Sequence, residues 1–82
     1  MDGRLKAETI EKAVGDVLQH FKKFHEVLPE KIILTECDHS DIFKQALEIR
    51  INNMKDYSPE IIISNIESGY IIDVGNYLKR FY

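Results

Sequence analysis

Apolar residues in the amino-terminal third recur at steps of three and four. Leu5, Ile10, Ala13, Val14, Val17, Leu18, Phe21, Phe24 and Leu28 fall on one face, with Glu8, Glu11, Lys12, Asp16, Gln19 and Lys22 on the other. That period predicts an amphipathic helix over residues 5 to 28. Leu28-Pro29 ends it, because the residue before a proline is pushed out of the α region. Ile32-Ile33-Leu34-Thr35 is short and β-branched. It fits a strand or a loop that drops apolar side chains into a helical core, and its length does not choose.

A second stripe, Ile42, Phe43, Ala46, Leu47, Ile51 and Met54, predicts a helix starting near Ser40, with Lys44, Gln45, Glu48, Asn52 and Lys55 outward. Asp38 and Ser40 are candidate N-caps, since short oxygen-bearing side chains accept the first-turn N–H groups. Asp41 suits the positive end of the helix dipole. Tyr57-Ser58-Pro59 breaks this helix.

The last third supports two patterns. Glu60 to Ile66 and Tyr70 to Val74 are isoleucine-rich and separated by Ser68-Gly69, which spells a β-hairpin by propensity. Ile71, Val74, Leu78 and Phe81 also recur at helical steps from about Ser68, with Lys79 and Arg80 at the end where cations belong. Pro59 fits the first position of a short helical turn. Propensity favours the hairpin; periodicity and end charges favour the helix.

Composition acts mainly by exclusion. With 82 residues and 44% apolar content, the chain is expected to form one domain, 1–82, around one modest core. Eleven basic residues against fourteen acidic ones leave a net charge of −3, and the basic residues are scattered. No basic stripe tracks a phosphate backbone, so nucleic acid is not an expected partner. The single cysteine makes no internal disulfide. No apolar run approaches a membrane span, and the first residues lack the pattern of a signal peptide. A soluble, cytoplasmic monomer is the expectation.

Candidate chemistry concentrates in Glu36-Cys37-Asp38-His39-Ser40-Asp41-Ile42-Phe43. Only Cys37 and His39 are good zinc ligands there, short of the four that a structural site needs, so no metal is expected. His20 and His25 are five apart on the first helix and diverge. Cys37 or Ser40 beside His39 makes a poor nucleophile–base pair, because sequence neighbours rarely align, and no nucleophile elbow is present. No catalytic residue is assigned. Cys37 reads as a small, partly buried filler. A serine opening a helix fits a plain N-cap or a site for a phosphate ester, which the helix amino terminus stabilises.

The order of elements, with a serine opening the second helix, resembles the acyl carrier and peptidyl carrier proteins. TIEKAVGDVLQHF (9–21) is similar to that family's opening helix, and TECDHSDIFKQALEIRI (35–51) to its carrier segment. His39-Ser40 is similar to the His-Ser of peptidyl carriers, and Leu47-Glu48-Ile49-Arg50 to the body of the second helix. Pro59 sits at about the family's spacing, and IIDVGNYLKRF (71–81) resembles the closing helix. The resemblance implies an all-α four-helix bundle with a long first loop and a short third helix. It also implies a non-enzymatic carrier of acyl or aminoacyl thioesters in fatty acid, polyketide or nonribosomal peptide biosynthesis. Ser40 would carry 4′-phosphopantetheine, attached covalently from coenzyme A. A phosphopantetheinyl transferase and acyl- or aminoacyl-transferring enzymes would dock on Asp38, His39, Asp41, Lys44, Gln45 and Glu48.

The competing expectation is a small acidic interaction module of inhibitor or immunity type, without a prosthetic group. Its fold would be α+β with a carboxyl-terminal β-hairpin.

Overall fold

The computed structural model describes residues 7–23, 28–54 and 56–80. In chain order they form α1 (Ala7–Lys23), β1 (Lys31–Leu34), α2 (Ser40–Asn52), β2 (Glu60–Ile63), β3 (Tyr70–Ile72) and α3 (Val74–Lys79). The strands make one sheet in the order β2-β1-β3, and both pairings are parallel. This corrects the expected all-α four-helix bundle: the chain is mixed α/β. It also corrects the hairpin. β2 and β3 are strands, as the isoleucine runs suggest, but each pairs with β1 and not with the other.

Isoleucine decides the matter at β1. Ile32, Ile33 and Leu34 are all buried, so both faces of this strand are covered, as expected of a central parallel strand. In register, Ile32 lies beside Ile61 and Tyr70, and Leu34 beside Ile63 and Ile72. These side chains share one face, and all three helices pack against it. Ile10, Ala13, Val14, Val17, Leu18 and Phe21 supply the α1 stripe, and Phe43, Leu47 and Ile51 that of α2. Leu28 and Met54 are half-buried against the same core, while Leu5, Phe24, His25, Lys55 and Phe81 lie outside the described residues. Ile42 departs from the expected stripe and is half-exposed.

Both prolines precede strands, and α2 has already ended at Asn52, well before Pro59. Pro29 leads into β1 and Pro59 into β2, positions where a missing N–H costs the ladder nothing. The Tyr57 hydroxyl donates to the Pro29 carbonyl at 2.7 Å and ties the starts of these two strands together. The final helix starts later than its period suggests. Ile71 and Ile72 are extended beside Ile33 and Leu34, and Asp73 then caps α3 by accepting the Asn76 N–H at 3.1 Å.

The β1–β2 connection runs through α2, an ordinary parallel crossover. From β2 to β3 the chain crosses β1 with residues 64–69 alone. Parallel crossovers usually take ~12 residues or more and carry a helix. This one is a bare strap over the face opposite the helices. Asn65 Oδ1 accepts the Glu36 N–H at 3.0 Å, Glu67 pairs with Lys31 at 3.7 Å, and Gly69 lies over Ile33.

Candidate functional site

The residues singled out by sequence fall at the carboxyl end of the sheet, between β1 and α2. Open α/β sheets commonly bind ligands at that end. Thr35 organises it. Its N–H donates to the Ile72 carbonyl at 3.0 Å, and its Oγ1 accepts the Val74 N–H at 3.0 Å. Its carbonyl accepts the Ser40 hydroxyl at 2.6 Å. One residue thus fixes the end of β1 to the starts of α2 and α3.

Ser40 is the first residue of α2 and only 2% exposed. Its Oγ donates to Thr35 and accepts the Cys37 N–H at 2.7 Å. Cys37 Sγ lies 3.3 Å from the same oxygen. A hydroxyl has one proton, and the Thr35 carbonyl takes it, so the thiol is the group left to donate. The expected N-caps are corrected here. His39 occupies the cap position without a side-chain cap bond, and Ser40 closes the turn behind it. Cys37 is exposed, not a buried filler.

The other predicted positions divide into two groups. Asp38 and Asp41 are exposed and His39 half-buried around the α2 amino terminus. Lys44, Gln45 and Glu48 lie further along the helix. Gln45 and Glu48 line a groove of about 450 Å³ with Ile49, Pro59 and Ile61, between α2 and the outer edge of β2. Among the described residues, no group of three or more His, Cys, Asp and Glu side chains converges as a metal site. No helix among them is long and apolar enough to cross a membrane.

Sequence reasoning missed a second surface. On the sheet face away from the helices, Ile33 is buried while Ile71 is 53% exposed. Ile62, in register with Ile33, is half-buried, and Ile66 on the strap is 93% exposed. Carboxylates border these side chains. Glu60 is the register partner of Lys31, and Glu67 pairs with Lys31. The available signal was the strict run Ile61-Ile62-Ile63, which leaves an apolar side chain on both faces whatever the pairing. Only the topology says which face goes uncovered.

Comparison of the chain with family models, with curated proteins and with solved structures finds no match.

Proposed function

We propose that this chain is a small acidic protein-interaction module that works through the uncovered sheet face and carries no prosthetic group. The observation that carries this reading is the strap. All-parallel sheets are ordinarily covered on both faces. Among the described residues, the second face has only residues 64–69 over it, with Ile66 93% and Ile71 53% exposed. On that face Ile62 and Ile71 flank Ile33 from either side, and contiguous exposed apolar surface rimmed by polar residues marks interaction sites. With Glu60 and Glu67 on the same face, the fitting partner is a protein that presents an apolar side chain flanked by lysine or arginine. No catalytic role is assigned to the chain. The exposed thiol of Cys37 suits a reducing compartment such as the cytoplasm.

Ser40 supports this reading over a carrier. Attachment of phosphopantetheine needs a hydroxyl that a transferase can reach, and this one is buried and hydrogen-bonded as donor and acceptor. The bundle that the carrier resemblance implies is also replaced by a sheet.

Two measurements test the proposal. Incubation with coenzyme A and a broad phosphopantetheinyl transferase should leave the intact mass unchanged. A gain of one phosphopantetheine that Ser40→Ala abolishes would restore the carrier reading. Photo-crosslinking in the native host should give a discrete protein adduct from a probe at position 66 and none from one at position 12 on α1. Equal yields from both positions would remove the uncovered face as the site.

A further inference from the structure

Among the described residues, no strand pairs with the outer edge of β2, and that edge is complementary to itself. The Glu60 N–H donates to the Glu30 carbonyl at 2.8 Å, and the Ser64 N–H to the Leu34 carbonyl at 3.0 Å. In a parallel ladder, the alternate residues turn their N–H and C=O the other way. Ile61 and Ile63 therefore present free backbone donors and acceptors at the edge. Exposed edges are usually guarded by lysine, proline or a bulge. Pro59 and Glu60 guard the start of β2, but Ile61-Ile62-Ile63 has no lysine, proline or bulge of its own. The opposite edge is poorer. The Ile72 carbonyl accepts the Thr35 N–H, so within β3 only Ile71 turns its backbone outward.

We infer that β2 pairs antiparallel with β2 of a second copy of this chain, across a two-fold axis through Ile62, making one continuous sheet of both copies. Ile61 then stands opposite the second copy's Ile63, and each such pair exchanges both of its N–H···O bonds. Glu60 meets Ser64 of the second copy and not its own counterpart, so no like charges face each other. The register also places a side chain at the groove beside α2. Ile61 lines that groove, and residues directly opposite on paired strands share a face, so the second copy's Ile63 reaches it.

The outer flank of α2 supports the same symmetry. Lys44 and Glu48 are one turn apart on α2, and Glu48 lines the groove beside β2. A two-fold axis sets the two α2 helices antiparallel, which brings Lys44 of each copy toward Glu48 of the other. This is the charge complementarity that selects a second copy over an unrelated extended segment. The axis is perpendicular to the sheet, so both uncovered faces point the same way and the pair offers a partner two identical patches. The pairing rests on backbone bonds at the β2 edge and touches the uncovered face only at Ile62, so its failure leaves the proposed function standing on Ile66 and Ile71.

Sedimentation equilibrium of the full chain should show a monomer–dimer equilibrium. Ile62→Lys opposes two ammonium groups on the axis and should raise the dimer dissociation constant at least ~10-fold, since 1.4 kcal/mol is one decade. Its far-ultraviolet circular dichroism should be unchanged. Glu48→Lys should weaken the dimer, and Lys44→Glu with Glu48→Lys should restore it. In a Cys37→Ser background, Ile62→Cys should oxidise rapidly to a disulfide dimer, because Cα atoms of a non-hydrogen-bonded pair lie ~4.5 Å apart, within the ~4.4–6.8 Å span of a disulfide. Ile66→Cys, away from the axis, should not. A chain that stays monomeric at all concentrations overturns the pairing, as does a dimer indifferent to Ile62→Lys. Equal oxidation of the two cysteine variants overturns it as well.

Discussion

Gly69 lies directly against Ile33: a Cβ built on Gly69 would stand 3.0 Å from Ile33 Cδ1, and the glycine φ is +146°. That contact is how a strap without a helix seals the centre of the second sheet face. The φ demands glycine, since an L side chain rarely adopts it, and a methyl there would also press on the end of the Ile33 side chain. Gly69→Ala should therefore destabilise the fold by ~1–3 kcal/mol, the usual cost of such strain. Gly15 is the control. It sits in α1 with nothing within 4 Å of its built Cβ, so Gly15→Ala should stabilise by ~0.5–1 kcal/mol. Urea unfolding of both variants checks the opposite signs.

Ser40→Ala tests whether the serine is structural. It leaves the Cys37 N–H and the Thr35 carbonyl without the hydroxyl that joins them. An unsatisfied buried group costs ~1–3 kcal/mol, and a loss of that size is expected on unfolding. An unchanged midpoint would mean the hydroxyl is not held as described. Ser40→Thr should be nearly as damaging, because Ser40 is 2% exposed and an added methyl has nowhere to go.

Tyr57 gives the fold an alkaline limit. Its phenol is pushed up to about 12 from 10.0, chiefly by burial and secondarily by Tyr70. Tyr70 is raised too, again mainly by burial and then by Tyr77. The neutral phenol is favoured in the folded state, so its contribution is whole below pH 10.0 and is lost as the pH rises to about 12. Stability measured by denaturant titration should fall across that window. Tyr57→Phe should flatten the fall without abolishing it, since Tyr70 remains. At neutral pH the same variant loses the bond to the Pro29 carbonyl, at a cost of ~1 kcal/mol.

Asp73→Ala should loosen the carboxyl terminus selectively. The carboxylate holds the Asn76 N–H at 3.1 Å, and α3 has only six residues to keep itself folded. Cap loss costs ~1 kcal/mol. Hydrogen exchange should accelerate at Tyr77 and Leu78 while the amides of Ile33 and Leu34 keep their protection.

Sequence alone determined the two long helices and the side chains they bury. The α1 stripe from Ile10 to Phe21 and the α2 positions Phe43, Leu47 and Ile51 are core residues because helical period and burial are the same local fact. Over Glu60 to Ile66 and Tyr70 to Val74 it offered strand by propensity and helix by periodicity, and did not choose. Tertiary structure decided how those strands pair. A hairpin and two parallel pairings with β1 use the same isoleucines, and the choice depends on Ile32 and Leu34 offering a central strand between them. The same holds for Glu36-Cys37-Asp38-His39-Ser40-Asp41. A serine that opens a helix looks alike in sequence whether its hydroxyl meets solvent or a carbonyl. The end of β1 sets the Thr35 carbonyl 2.6 Å from it, and in this structure the hydroxyl closes a turn. Nor does any local pattern reveal an uncovered sheet face, because coverage depends on where the rest of the chain goes.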